Sequence, residues 1–271
     1  MSRWRPKSEA LSMAHPIHFV GAGPGDPELI TVKGRRLLRE AGLIVFAGSL
    51  VPERLLEDRA ADAQIYNSAS LTLAETHALL VRGYREGKRV VRLHTGDPSL
   101  YGAIREQMAL LDSEGIPYKV VPGVSAVFAA AAALRQELTV PEMSQTVILT
   151  RMAGRTPVPE RERLRSLASH GATLVIYLSV QQIESVIAEA ASGYSPETPV
   201  AVAYRVGWPD ELLVEGTLAD IVAKVNEAGI KRQAIVMIGR VFGRGGPRDA
   251  RQSKLYDESF SHGFREAKPR S

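Results

Sequence analysis

The 271-residue chain contains no cysteine, which excludes disulfides, thiolate metal sites and a cysteine nucleophile. That absence fits a reducing compartment, and a cytoplasmic protein is expected. No apolar run approaches the roughly 20 residues that cross a bilayer, so no membrane partner is expected. Residues 1–14 are basic but lack an apolar stretch, which excludes a secretory signal. No cluster of histidine, aspartate and glutamate has metal-ligand spacing, so no metal is expected. A Gly-x4-Gly-Lys-Ser/Thr segment is missing, which removes a P-loop nucleotidase. There is no Ser–His–Asp or paired-carboxylate signature either, and the sequence nominates no catalytic residue.

What is present is ordinary for a globular protein: 45% hydrophobic and 24% charged residues, with a formal net charge of +4. Most of the 34 basic residues are arginine. Guanidinium forks pair with carboxylates in a bidentate way that ammonium groups cannot, so an anionic ligand is permitted, although genomic codon bias gives the same excess. The basic tail carries Asp249, Asp257, Glu258 and Glu266. It is not the single-sign arm that nucleic acid requires, and no nucleic-acid partner is expected.

Along the chain, apolar strands alternate with helical patterns, the mark of a mostly parallel sheet covered by helices. Residues 1–14 read as a disordered lead-in and 15–136 as an N-terminal α/β domain. Its strands are Ile17–Val20, Leu43–Ala47, Arg89–His94 and Tyr118–Val121. Leu29, Val32, Leu37 and Leu38 predict one buried face of a helix starting near Pro27. Further helices are expected over Thr72–Gly87, from the Thr95–Ser99 loop to about Glu114, and over Val124–Leu134. Residues 137–145, with Pro141, break the rhythm and are expected as a linker. A second α/β domain follows over 146–242. Its strands are Thr146–Arg151, Thr173–Leu178, Pro199–Tyr204, Glu211–Glu215 and Ala234–Gly239. Its helices fall over about Pro159–His170, Gln181–Ser192 and Leu218–Ala228. The third and fourth strands are too close for a crossover helix and predict an antiparallel hairpin. Residues 243–271 read as a flexible tail. The fold expectation is two α/β domains with a cleft between them, a common position for small-molecule sites.

Three glycine-punctuated strand ends carry the functional signal. The first, Gly21-Ala22-Gly23-Pro24-Gly25-Asp26, superficially suggests a dinucleotide fingerprint. Asp26 stands where that fingerprint needs its third glycine, and the next strand ends without the acid that holds a ribose. Asp26 would also repel a pyrophosphate. The second, Thr95-Gly96-Asp97-Pro98-Ser99-Leu100-Tyr101-Gly102, stands where ligands bind parallel sheets. There Asp97 either accepts hydrogen bonds from a ligand or caps the following helix. The third, Pro122-Gly123-Val124-Ser125-Ala126, either lets a flat group approach the helix start or merely packs it.

Together, Gly-Ala-Gly-Pro-Gly-Asp-Pro (21–27), Gly-Asp-Pro-Ser-Leu-Tyr-Gly (96–102) and Pro-Gly-Val-Ser-Ala (122–126) resemble the tetrapyrrole methylase family. So do Thr-Leu-Val-Ile-Tyr-Leu (173–178) and Ala-Tyr-Arg-Val-Gly-Trp-Pro-Asp-Glu (203–211), and the resemblance covers about residues 16–242. Residues 47–51, 151–159 and 204–211 are similar to the branch that methylates C-11 of precorrin-4. The resemblance implies a two-domain homodimer, S-adenosylmethionine as methyl donor, and donor contacts at Pro24, Thr95, Gly96, Asp97, Leu100, Ser125, Ala126, Leu178, Ala203, Tyr204 and Ala234. Leu178 departs from the methionine common in the family, a conservative change. Arg151, Arg155 and Arg205 are candidate clamps for the carboxylates of an anionic tetrapyrrole. Trp208 either shapes the site or fills a core, and His94 either touches substrate or is packed. Alternatives are the same chemistry on the cobalt-containing ring, or a tetrapyrrole-binding protein without catalysis.

Overall fold

The computed structural model describes residues 15–243, 253 and 256–267. The expected lead-in lies outside the described residues, as does most of the expected flexible tail. Two compact units result. One comprises the chain up to Ala129 with Val206–Pro209; the other runs from Ala130 to Arg205 and from Asp210 onward.

The first unit holds a five-stranded sheet: β1 (Ile17–Gly21), β2 (Leu43–Phe46), β3 (Gln64–Asn67), β4 (Val90–His94) and β5 (Tyr118–Val121). All pairings are parallel, in the order β3-β2-β4-β1-β5. Helices α1 (Val32–Arg39), α2 (Leu73–Arg85) and α3 (Ile104–Ser113) follow β1, β3 and β4. Leu37 and Leu38 of α1 pack on Val20, Ile44, Val91 and Leu93. Leu80 and Val81 of α2 and Leu111 of α3 pack on the opposite face, against Ile17, Phe19, Leu43, Val45 and Val90. Both faces are therefore covered, which is why the inner strands β1, β2 and β4 are nearly continuous apolar runs. The adjacent strands β1 and β4 send their following helices to opposite faces, and such a switch point opens a crevice at the carboxyl ends.

Two local expectations are corrected. Helix α1 does not begin at Pro27. Asp26 accepts from Glu28 N and holds Pro27–Leu29 in a separate 3-10 turn, and α1 starts after Thr31, whose hydroxyl accepts from Gly34 N. Val32, expected on the buried face, is 89% exposed. Helix α3 begins only at Ile104, after a loop that includes the left-handed residues Tyr101 and Ala103. Helix α2, by contrast, starts where its capping box demands: Thr72 Oγ1 accepts from Glu75 N while the Glu75 carboxylate accepts from Thr72 N.

The second unit holds β6 (Val147–Arg151), β7 (Thr173–Tyr177), β8 (Pro199–Tyr204), β9 (Leu212–Thr217) and β10 (Ala234–Ile238). Their order is β6-β7-β10-β8-β9, with β6 and β7 parallel and every other pair antiparallel. The expected hairpin is β8–β9. Helices α5 (Leu164–Ala168), α6 (Ile183–Ala190) and α7 (Ile221–Glu227) build one core with Leu174, Ile176, Val200, Val202, Val236 and Ile238. Helix α4 (Ala126–Leu134) spans the residues where the two units meet in sequence. The 137–145 segment is anchored on β7, where the buried Thr173 hydroxyl donates to Leu138 O at 2.9 Å and Thr173 N donates to Ser144 Oγ at 3.1 Å. No helix among the described residues is long and apolar enough to cross a membrane.

Candidate functional site

In the first unit, the three glycine loops leave the adjacent strands β4, β1 and β5 at their carboxyl ends. Ala22 N donates to His94 O at 2.7 Å. Gly23 and Gly96 exchange a reciprocal pair, Gly96 N to Gly23 O at 2.7 Å and Gly23 N to Gly96 O at 3.3 Å. Backbone meets backbone so closely that side chains have no room. A Cβ on Gly21 would stand 2.6 Å from the Gly123 Cα and from the Gly96 carbonyl oxygen. The glycines thus serve loop-on-loop packing rather than a phosphate cradle.

Asp97 settles which loop conformations coexist. Its Oδ1 accepts from Ser99 N at 2.8 Å and its Oδ2 from Gly123 N at 2.9 Å. The carboxylate therefore ties the loop after β4 to the loop after β5, and it does not cap α3, whose start at Ala103 has no side-chain cap. Asp97→Asn would present an amide where one of these two N–H groups needs an acceptor. Charge-assisted hydrogen bonds contribute about 1.5–3 kcal/mol. Calorimetric titration of Asp97→Asn with S-adenosylhomocysteine should show binding weakened by about 10- to 100-fold; wild-type affinity would make the tie irrelevant to the site.

The first loop has a second constraint. Pro24 is buried, and its carbonyl accepts from Trp208 Nε1 at 3.2 Å. A Cβ on Gly25 would come within 2.5 Å of that same Nε1. Trp208 is thus a wall against the glycine loop, a pairing that sequence separation conceals. Gly96 is left-handed (φ 58), and its open side faces Ser125, whose Cα would lie 3.7 Å from an added Cβ. Pro24, Thr95, Gly96, Asp97, Leu100, Ser125 and Ala126 are thereby gathered at one sheet edge.

In the second unit, the ends of β7 and β8 and the start of β10 share one edge, because β10 runs antiparallel to both. Leu178, Ala203, Tyr204 and Ala234 belong to this edge, with Ala234 directly opposite Tyr204. Leu178 (φ 54), Arg205 (φ 44) and Gln233 (φ 57) are all left-handed there, and such non-glycine conformations cluster at ligand sites. Leu178 is 59% exposed.

The three candidate arginines differ. Arg151 donates to the carbonyls of Met152, Thr156 and Pro157, holding its own loop. Arg205 Nε donates to Asp210 Oδ1 at 2.7 Å and its Nη1 to Gln233 Oε1 at 3.0 Å. Arg155 is exposed. His94 is packed: 3% exposed and 6.1 Å from the Phe19 ring, it has its pKa pushed down to about 3 by burial and then by the Arg92 charge. Arg92, Ser68 and Gln107 belong to no sequence motif; the one signal for them is a charge in the middle of the apolar β4 segment. Among the described residues, no group of three histidine, cysteine, aspartate or glutamate side chains is placed to hold a metal.

A parallel sheet with glycine loops at its switch point, followed by a mixed second sheet, defines a two-unit α/β protein. The profile of the Tetrapyrrole (Corrin/Porphyrin) Methylases matches residues 16–222, and the chain belongs to this family. It is 53% identical over 252 residues to a cobalt-precorrin-4 C(11)-methyltransferase of Methanocaldococcus jannaschii, covering 93% of this chain and 96% of the relative. It is 49% identical to a precorrin-4 C(11)-methyltransferase of Pseudomonas aeruginosa, covering 92% and 98%. Among solved structures, a cobalt precorrin-4 methyltransferase superposes with a TM-score of 0.82 at 46% identity, covering 84% of this chain and 96% of that one.

Proposed function

We propose that this chain transfers a methyl group from S-adenosylmethionine to C-11 of precorrin-4 in cobalamin biosynthesis. The observation that carries the reading is the near full-length identity of about half to proteins named for that reaction. The residues suit such a donor. Gly96 has its open side toward Ser125 and Ala126, and Asp97 ties the loops after β4 and β5 together. We assign donor contacts to Pro24, Thr95, Gly96, Asp97, Leu100, Ser125 and Ala126 in the first unit and to Leu178, Ala203, Tyr204 and Ala234 in the second. Arg151, Arg155 and Arg205 are assigned to the carboxylates of the tetrapyrrole. The proposal includes a cytoplasmic homodimer.

The donor supplies an activated sulfonium methyl group, and the electron-rich macrocycle supplies the carbon nucleophile. The protein then has to bind, align and exclude water, and alignment alone lowers a barrier by about 7–11 kcal/mol. No general base is required for the transfer itself. The relative from Methanocaldococcus jannaschii favours a second reading, in which the ring already carries cobalt. Incubation of the enzyme with isotopically labelled S-adenosylmethionine and each of the two rings tests both. Label at C-11 of the metal-free ring is the expected result; label on another carbon, or on the cobalt ring alone, refutes it.

A further inference from the structure

The proposed methyl transfer leaves one buried charge unused. Arg92 is the third of five residues in β4, on the same face as Val90 and His94, and it is 7% exposed. Burial lowers its pKa to about 10, so it remains a cation at neutral pH. A buried cation is costly to desolvate and is ordinarily met by a carboxylate. Among the described residues, no carboxylate lies within ion-pair distance of Arg92. Three neutral acceptors surround it instead: Nε donates to Gln107 Oε1 at 3.0 Å, and Nη1 to Ser68 Oγ at 3.0 Å and Val45 O at 3.3 Å.

Two of the acceptors lead on to further backbone carbonyls. Ser68 Oγ donates to Phe46 O at 3.0 Å, at the end of β2. Gln107 Nε2 donates to Ala103 O at 2.9 Å. Ala103 is where the Thr95–Ala103 loop enters α3, and it is left-handed (φ 49), as is Tyr101 (φ 57) two residues earlier. Such conformations cost about 1–3 kcal/mol each and persist only where the surroundings fix them. One end of the loop is fixed by the chain leaving β4 at His94. The other is fixed by the relay Arg92–Gln107–Ala103, which returns to the same strand.

We propose that Arg92 is a positioning residue for the methyl transfer: acting through Gln107, it sets the course of the loop that carries Thr95, Gly96, Asp97 and Leu100. The inference rests on the donor assignment made above. An arginine suits the task because its planar fork reaches three acceptors on three elements at once.

The test is Gln107→Leu, which removes the relay while keeping side-chain volume and leaving Arg92 in place. Losing a hydrogen bond to a charged group weakens an interaction by roughly ten-fold or more. Calorimetry should show S-adenosylhomocysteine binding weakened by about 10-fold, and kcat should fall by about 10-fold while KM for the tetrapyrrole stays within about two-fold. A folded Gln107→Leu protein with wild-type kcat and donor affinity overturns the proposal. Should that variant fail to fold, Gln107→Asn, one methylene short of Ala103 O, replaces it under the same criteria. The wild-type protein measured alongside separates the two readings. If wild type neither binds S-adenosylhomocysteine nor methylates, the functional assignment fails; if wild type does both and the variant matches it, only the role of Arg92 fails.

Discussion

Gly123→Ala should leave little protein able to bind the donor. Its new Cβ would lie 2.8 Å from the Gly21 Cα and closer still to the Gly96 carbonyl oxygen. Neither neighbour is a side chain that can rotate away. Both are backbone in strands or loops held by ladder hydrogen bonds, so relief requires the β1, β4 and β5 ends to part. Overpacking against a rigid surround costs about 1–3 kcal/mol per site, and two backbone clashes place this variant at the upper end or beyond. A thermal melt should fall by about 10 °C, at roughly 2–4 °C per kcal/mol for a chain of this size. Gly87→Ala is the control: Gly87 is left-handed (φ 72) with no atom within 4 Å of an added Cβ, so it should lose only the roughly 1 kcal/mol of backbone strain. Equal melting points for the two alanine variants would show that close loop packing is not what the glycines provide.

Acid should destabilise the first unit well before its carboxylates titrate. His94 has a folded pKa of about 3 against an ordinary value of 6.5, with burial as the main cause and the neighbouring Arg92 charge second. Below pH 6.5 the unfolded chain takes up a proton that the folded chain refuses. Stability therefore falls as pH drops from 6.5, by up to about 1.4 kcal/mol per pH unit for one such group. His18, half-buried near Lys119 and Lys33, is shifted in the same direction and adds to the slope. Asp58, Glu75, Glu86, Glu114 and Asp220 have lowered pKa values and stabilise above the ordinary carboxylate range. Their contribution is lost only as pH falls below that range, so pH 5–6.5 isolates the histidines. Urea unfolding across that window should show a smaller slope for His94→Gln than for wild type. Identical slopes would mean that His94 is solvated in the folded protein.

Much of this organisation was legible in the residues. Strands buried on both faces leave apolar runs, so β1, β2 and β4 are legible directly, as is the β8–β9 hairpin from its short spacing. Strand β3 was not: Gln64-Ile65-Tyr66-Asn67 is an edge strand, half of it exposed, and carries no apolar run. The start of α1 was misplaced because Pro27 and Leu29 fit a helical period, while the Asp26 and Thr31 side chains divide the segment into two turns. The glycine loops were visible one by one, and their family spacing grouped them. Their reason was not visible, because backbone crowding between Gly21, Gly96 and Gly123 joins residues far apart in sequence. For the same reason Asp97 looked like a helix cap or a ligand contact, and its bond to Gly123 N could not be foreseen. Trp208 against Gly25 and the Arg92 relay share this non-local character.

The placement of β10 affects how the protein is made. It is the last strand of its sheet in sequence, yet it lies between β7 and β8, hydrogen-bonded to both. As a nascent chain emerges, β6–β7 and β8–β9 can form two separate ribbons, each with one edge waiting for a strand not yet synthesised. Those edges, rich in valine, isoleucine and alanine, are the kind that pair with other chains when left open. Both exposed edges are closed by one late-synthesised segment, Ala234–Ile238, which pairs with β7 on one side and β8 on the other.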